Sequence, residues 1–376
     1  MRKKVIIATL NDYIVYQPTI LNLYDELISE FDVEIISFEP TFISTDKDTS
    51  RNIRYIKVPG LIKEISNKID FIMNKLSGYI RKIIPGYKYK YIYYNRALPA
   101  ALRSALRKTN ADHIIAVDIP ALYVCQQVFG KVHFLSLEID RSNPFINKID
   151  TTAIRSVFIQ NQVRLDHLLP GYDGPSFFIQ NAPVFEDAIK PVGDRKDFVW
   201  AGTLLDRFGV IECINFFKAH PEYRLELKGG AEKRTLQKIN DNFSDLIEKQ
   251  VIHINREYLP GNSFLEYLSK FRTGFCFYSW DLINTDFNYR TAPSGKLFMY
   301  MAAGVPVIAC NIPGFAFINE FNAGVLVDNY EPATILDAVH KIESNYPAYV
   351  EACYEVARHF DFRRNAKPYV EFLRAR

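Results

Sequence analysis

The chain has 376 residues, 48% of them hydrophobic and 24% charged, with a formal net charge of +3. That length exceeds one ordinary core and predicts about two domains, and the composition is that of a globular protein, which excludes disordered and fibrous classes. The small net charge gives no general footing for nucleic acid, and no run reaches the roughly 18 apolar residues of a membrane span.

The opening MRKKVIIATLND has a basic start and a short apolar run that Asn11 and Asp12 close, so a first strand accounts for it better than a signal peptide does. PTILNLYDELISE reads as a helix with Ile20, Leu23, Leu27 and Ile28 turned inward, and VEIISF as a second strand. Residues 81–96, RKIIPGYKYKYIYYNR, break the pattern with clustered tyrosines and basic side chains. They admit two readings: an irregular excursion in which tyrosines and lysine stems cover the domain, or a cationic patch that meets an anionic lipid headgroup or lipid-phosphate acceptor.

LPAALRSALRKT then reads as a helix, DHIIAVD as a strand, ALYVCQQVF as a helix, and KVHFLSLEI, SVFIQN and PSFFIQNAP as strands. Such alternation predicts a doubly wound parallel sheet. The polar stretch EDAIKPVGDRKD marks a linker, after which the pattern restarts: DFVWAG, YRLELKGG, VIHI and TGFCFYS as strands, GVIECINFFKAH and NSFLEYLSKF as helices. In PSGKLFMYMAAGVPVIA, a loop opens a helix with Leu297, Phe298, Met301 and Ala302 on its apolar face; Gly304 stops it, and a buried strand follows. AGVLVD adds a strand, and EPATILDAVHKIE begins the closing helices. The expected division is 1–184, a linker over 185–196, a second domain over 197–355, and a helical tail over 356–376 packing back on the first domain.

A helix N-terminus that carries Ser294, Gly295 and Lys296 is built for an anion: free N–H groups, a close backbone approach, a hydroxyl and a point charge. Its spacing is not that of a P-loop, so a nucleoside triphosphatase is not the reading. The five cysteines are scattered without a Cys-x-x-Cys pair and read as buried thiols of a reducing compartment, which suits a cytoplasmic protein. No metal site is assigned, and His113, His133 and His167, each without a carboxylate at defined spacing, are given no role.

Taken together, VIIATLNDY, LSLEID, FIQNQVRLDHL, FVWAGTLLDRFG and above all SGKLFMYMAAGVPVI followed by AGVLVD resemble the GT-B glycosyltransferases, family-4-like enzymes of bacterial surface polysaccharide synthesis. The resemblance covers most of the chain and implies an α/β fold of two Rossmann-like domains facing an interdomain cleft. It implies a hexosyltransferase that moves sugar from a nucleoside-diphosphate sugar to a hydroxyl of a glycan or lipid-linked glycan. No metal, no cofactor beyond that co-substrate and no nucleic acid is implied, and residues 81–96 are the expected point of any peripheral contact with the inner face of the membrane.

Under that resemblance Ser294, Gly295 and Lys296 match the diphosphate site, with Arg207 and Lys228 as further cations for the leaving group or as ordinary surface charge. Gly202, Thr203, His253, Asn255, Tyr278 and Asp281 are candidates for donor nucleoside or sugar. Glu138 is the first choice for a general base or acceptor-positioning group and Asp140 the second, with helix capping as the alternative for both. Asn11 and Asp12 are assigned to the acceptor, with contact to the donor or the capping of a turn as the alternatives. One departure stands out: the family's pair of glutamates, the second of which holds the donor ribose, falls here on Thr291 and Met299. A thioether accepts no strong hydrogen bond, so either the nucleoside is held otherwise or the chain is an inactive relative that partners another transferase.

Overall fold

The computed structural model describes residues 2–40, 47–83, 93–186, 195–259 and 261–376. The chain divides into two compact units, Met1–Ile179 with Asn365–Arg376, and Gln180–Arg364. Most of the tyrosine-rich 81–96 segment and most of the expected linker lie outside the described residues.

In the first unit β1 (Lys4–Ala8), β2 (Asp32–Phe38), β3 (Ile53–Ile56), β4 (His113–Val117), β5 (Val132–Leu135), β6 (Ile154–Ile159) and β7 (Ser176–Phe178) form one parallel sheet in the order β3-β2-β1-β4-β5-β6-β7. Continuous β-branched runs such as VIIA and HIIAV suit strands covered on both faces, and the residues of β4 and nearly all of β1 are buried. The order reverses between β1 and β4, so the loops after these two strands stand at the topological switch point. Helix Phe362–Arg374 closes this unit from Asn365 onward, with the Tyr369 ring stacked on Phe158 at 4.6 Å.

His113 and His133 lie in this core. Their rings meet through Nδ1 and Nε2 at 3.3 Å, and His133 Nδ1 reaches Ser156 Oγ at 2.7 Å. Burial, reinforced by His113, pushes the His133 imidazole down to about 3, so it is neutral in the folded protein.

The second unit repeats the winding with β8 (Phe198–Ala201), β9 (Leu225–Lys228), β10 (Ile252–Asn255), β11 (Thr273–Cys276), β12 (Val307–Cys310) and β13 (Gly324–Val327), in the order β10-β9-β8-β11-β12-β13. Helix Gly295–Ala302 follows the sequence reading, with Gly304 at φ +60 ending it. All five cysteines are buried and free, and burial pushes the Cys310 thiol up to about 12.

Several elements differ from the sequence reading. Strand β3 and helices Gly60–Ile83 and Lys233–Glu248 were not expected. KVHFLSLEI stops being a strand at Leu135, because the following backbone is drawn into a turn. The polar stretch before Pro293 holds two short helices, Trp280–Thr285 and Phe287–Thr291, capped by Ser279 and Asp286.

Candidate functional site

In the second unit the loops after β8, β9 and β10 are stitched together by backbone hydrogen bonds: Gly202 N to Lys228 O at 2.9 Å, Leu204 N to Gly230 O at 2.7 Å, and Gly229 N to Asn255 O at 2.9 Å. The approach is close enough to require glycine. A Cβ on Gly229, which sits at φ +140, would stand 2.1 Å from Gly202 O.

Lys296, in the first turn of helix Gly295–Ala302, extends its ammonium toward this loop. Its Nζ lies 4.0 Å from the centroid of the Trp200 ring and 4.0 Å from where a Cβ on Gly202 would stand. It is shielded from solvent and has no hydrogen-bond partner among the described residues, and neither does the Trp200 indole N–H. A cation–π contact offsets part of the desolvation, but an ammonium with three unmet donors remains costly, and an anion would supply the missing acceptors. The N–H groups of Gly295 and Lys296 begin the helix and have no intrahelical acceptor, so they add to the same positive end.

The helix is held from behind. Tyr300 accepts the Ala201 N–H at 2.6 Å, which ties the helix to the end of β8. Arg195 donates to the carbonyls of Gly304 and of Ala303, the latter at 3.0 Å, so a guanidinium satisfies the helix C-terminus while Lys296 marks the other end. Ser294 is the N-cap by backbone, but its side chain caps no N–H of this helix. Hydrogen bonding from Ser294 instead works against the strong upward pull of burial on Tyr278 and Cys276.

The other donor candidates separate into three groups. Lys228 is 2% exposed, which removes the surface-charge alternative: its Nζ donates to Asn255 Oδ1 at 2.8 Å and lies 4.6 Å from the Tyr267 centroid. Asn255 and Tyr267 continue this network to Glu226, whose other carboxylate oxygen meets His253 Nδ1 at 2.6 Å. Arg207 and Thr203 are exposed, and Arg207 lines a cavity of about 270 Å³ with Asp206, Glu232, Arg234 and Thr235. Tyr278, by contrast, is buried among Phe208, Tyr289 and Phe315, and Asp281 is exposed in the first turn of its own helix.

Thr291 and Met299, the positions of the missing acidic pair, are both engaged in packing. Thr291 is buried and donates its hydroxyl to Phe287 O at 2.7 Å. Met299 packs against a cluster of Leu265, Ala302 and Ala357 that also meets Phe185.

In the first unit the sequence reading passed over Asp118. This residue directly follows β4 at the switch point and holds φ +61, a left-handed conformation rare for a side chain other than glycine, asparagine or aspartate. Its Oδ1 accepts the N–H groups of Leu137 at 2.8 Å and Glu138 at 3.0 Å, which is what draws the end of KVHFLSLEI out of the sheet. Burial pushes the Asp118 carboxyl up to about 6, opposed by those two hydrogen bonds and by the Arg164 cation. Arg164 is fully buried and itself donates to Leu137 O at 3.0 Å. Asp118, Glu138 and Asp12 all raise the Tyr13 hydroxyl, whose chief perturbation is burial, so the three carboxylates share one end of the sheet.

Within that group Glu138 is exposed, whereas Asp140 is absorbed by its own turn, accepting from Ser142 Oγ at 2.7 Å and Asn143 Nδ2 at 3.2 Å. Asn11 forms a turn, its Oδ1 accepting the Tyr13 N–H at 2.9 Å. In the single Asp-x-Asp sequence, Asp46-Lys47-Asp48, Asp48 is engaged by Ser50 and Arg51, and Asp46 is outside the described residues. Among the described residues no group of three or more His, Cys, Asp or Glu side chains is placed to hold a metal ion.

No protein-family model and no curated protein sequence matches the chain. Solved structures do. An α,α-trehalose-phosphate synthase (UDP-forming) from Burkholderia vietnamiensis is similar with a TM-score of 0.66 at 13% identity, over 100% of both chains. WaaG, a glycosyltransferase involved in lipopolysaccharide biosynthesis, is similar with a TM-score of 0.64 at 10% identity, over 98% of this chain and 99% of its own. HepE of Anabaena, in complex with UDP and glucose, gives 0.66 at 11% identity over 100% of both. Likeness at such low identity is likeness of fold, and the chain accordingly has the GT-B fold, with two parallel Rossmann-like sheets of seven and six strands.

Proposed function

We propose that this chain is a metal-independent hexosyltransferase that moves a sugar from a nucleoside-diphosphate sugar to a hydroxyl of a glycan or lipid-linked glycan, in bacterial surface polysaccharide synthesis on the cytoplasmic side. The observation that carries the reading is the shielded Lys296 ammonium, without a hydrogen-bond partner among the described residues, at a helix N-terminus beside the Gly202 loop. The similar structures include one described as holding UDP and glucose, which supports a nucleotide sugar as the anion's source.

In the reaction the bond between the anomeric carbon and the diphosphate oxygen breaks, with its electron pair leaving on the phosphate. Lys296 and the helix N–H groups neutralise that charge as it develops, and Arg207 adds a cation from the exposed side. The acceptor oxygen bonds to the anomeric carbon, and its proton goes to a carboxylate of the first unit or to the leaving phosphate oxygen. Asp118 and Glu138 are the carboxylates assigned to that task, with Asp12 and Asn11 contacting the acceptor. The nucleoside is assigned to His253, Asn255 and the Lys228 network in place of the absent acidic pair.

The test is calorimetric titration with nucleoside diphosphates and nucleotide sugars, on the natural chain and on Lys296→Ala. Saturable binding that weakens by about tenfold or more in the variant is expected, on the scale of one lost charge-assisted contact. A folded protein that binds none of a broad panel would overturn the assignment.

A further inference from the structure

Helix Gly60–Ile83 is packed inside out. Among its described side chains Ser66 and Asp70 are the buried ones, and Asp70 accepts the Tyr93 N–H at 3.1 Å, fixing the polar face against the rest of the first unit. Leu61, Ile62, Ile65, Ile69, Phe71, Ile72 and Leu76 are exposed, seven of the fourteen large apolar side chains exposed among the described residues. Ile62, Ile65, Ile69, Ile72 and Leu76 recur at alternating steps of three and four, which puts them on one stripe along the helix axis.

The flank of that stripe is cationic. Lys68 and Lys75 stand one heptad apart beside it, and the Lys75 ammonium lies 4.6 Å from the Phe71 ring centroid. The helix carries Lys63, Lys68, Lys75, Arg81 and Lys82 against Glu64 and Asp70, so its surplus equals the +3 of the whole chain. Glu64 is taken up by Lys68 at 2.7 Å.

We infer that this helix lies on an anionic membrane surface, with the isoleucine stripe sunk into the headgroup boundary and the lysines reaching lipid phosphates. An apolar face flanked by lysines, on a helix without enough apolar length to span, is the pattern of an interfacial helix. Charge decides against a second copy as the occupant. Pairing two such stripes antiparallel sets the Lys68–Lys75 flank of one helix against the same flank of the other, and in either orientation it brings two cationic helices together. An anionic surface complements the same charge. The inference does not depend on the proposed glycosyl transfer.

Vesicle flotation with the full chain tests it, using phosphatidylglycerol–phosphatidylcholine vesicles and pure phosphatidylcholine vesicles at low and high salt. Binding to the anionic vesicles is expected, weakening about tenfold or more when salt is raised or the anionic lipid is omitted. Ile65→Glu/Ile69→Glu should lose about tenfold or more with circular dichroism and nucleotide binding unchanged, and Lys68→Gln/Lys75→Gln should weaken binding and flatten its salt dependence. Failure to float with anionic vesicles, equal binding to both lipids, or undiminished binding by the double glutamate variant overturns the inference. So does a dimer in solution that the glutamate variant dissociates, since the stripe would then be covered by a second copy.

Discussion

The two sheets are wound alike and charged oppositely at their strand ends. In the first unit the loops after β1, β4 and β5 gather Asp12, Asp118 and Glu138; in the second, the loop after β8, the end of β9 and the start of helix Gly295–Ala302 carry Arg207, the buried Lys228 and Lys296. One architecture thus carries carboxylates at one set of strand ends and cations at the other, and the proposed transfer gives the first a proton to handle and the second an anion to hold. The winding supplies the place, and a few side chains supply the chemistry.

The largest effect that would break this contrast is expected at Asp118. Asparagine keeps an acceptor for the Leu137 and Glu138 N–H groups and tolerates φ +61, so Asp118→Asn removes the charge and little else. Transfer turnover should fall about a hundredfold or more, and the rise of activity through about pH 6 should vanish, while nucleotide affinity stays put. The same variant should be more stable at neutral pH, by on the order of 1 kcal/mol. The sign follows from the raised carboxyl: ionisation costs the native state more than the unfolded one, a penalty that grows as pH climbs from about 4 to about 6. Unchanged turnover would remove Asp118 from the proton's path.

A second contrast concerns acid. His133 is held neutral down to about pH 3, while an unfolded chain binds a proton there below about 6.5, so its contribution to first-unit stability is complete above that range and declines as pH falls through it. Both tryptophans, Trp200 and Trp280, lie in the second unit, so their fluorescence follows that unit alone while far-UV circular dichroism follows both. His133→Gln should shift the acid transition seen by circular dichroism to lower pH and leave the fluorescence transition in place. Coincident shifts would mean that the two units unfold together.

The smallest effect is expected at Met299. Leucine conserves its volume within the Leu265, Ala302 and Ala357 cluster, so Met299→Leu should change stability by less than about 1.5 kcal/mol. Nucleotide affinity, measured by the same calorimetry, should change less than about twofold. A larger loss would place the thioether against the nucleoside rather than in the packing.

Periodicity made both sheets, apart from the half-buried strand β3, and the Gly295–Ala302 helix legible, because buried parallel strands write themselves as continuous Val and Ile runs and the helix is bounded by Pro293 and Gly304. Helix Gly60–Ile83 is absent from the sequence reading although Ile62, Ile65, Ile69, Ile72 and Leu76 keep a helical spacing, and the direction of that stripe, outward rather than into the core, is a tertiary fact. The Ser-Gly-Lys turn was also legible, since anion sites at helix starts are local. Trp200 beneath Lys296, the network around Lys228, and the backbone N–H groups that Asp118 collects across nineteen residues are tertiary facts, invisible to any window of sequence. Tyr278 shows the reverse error: a tyrosine after a strand looks available, yet aromatic neighbours from three other elements enclose it.

The second unit is one unbroken stretch, whereas the first is completed only by Asn365–Arg376, whose Tyr369 covers Phe158. A ribosome therefore releases the whole of the second unit before it releases Asn365–Arg376, the piece that closes the first. On the growing chain the second unit can be finished while the first still exposes Phe158 and Phe177, the aromatic surface that the closing helix will cover. The order of assembly is thus written into the path of the chain, and the unit that waits longest for its cover is the one most in need of protection during synthesis.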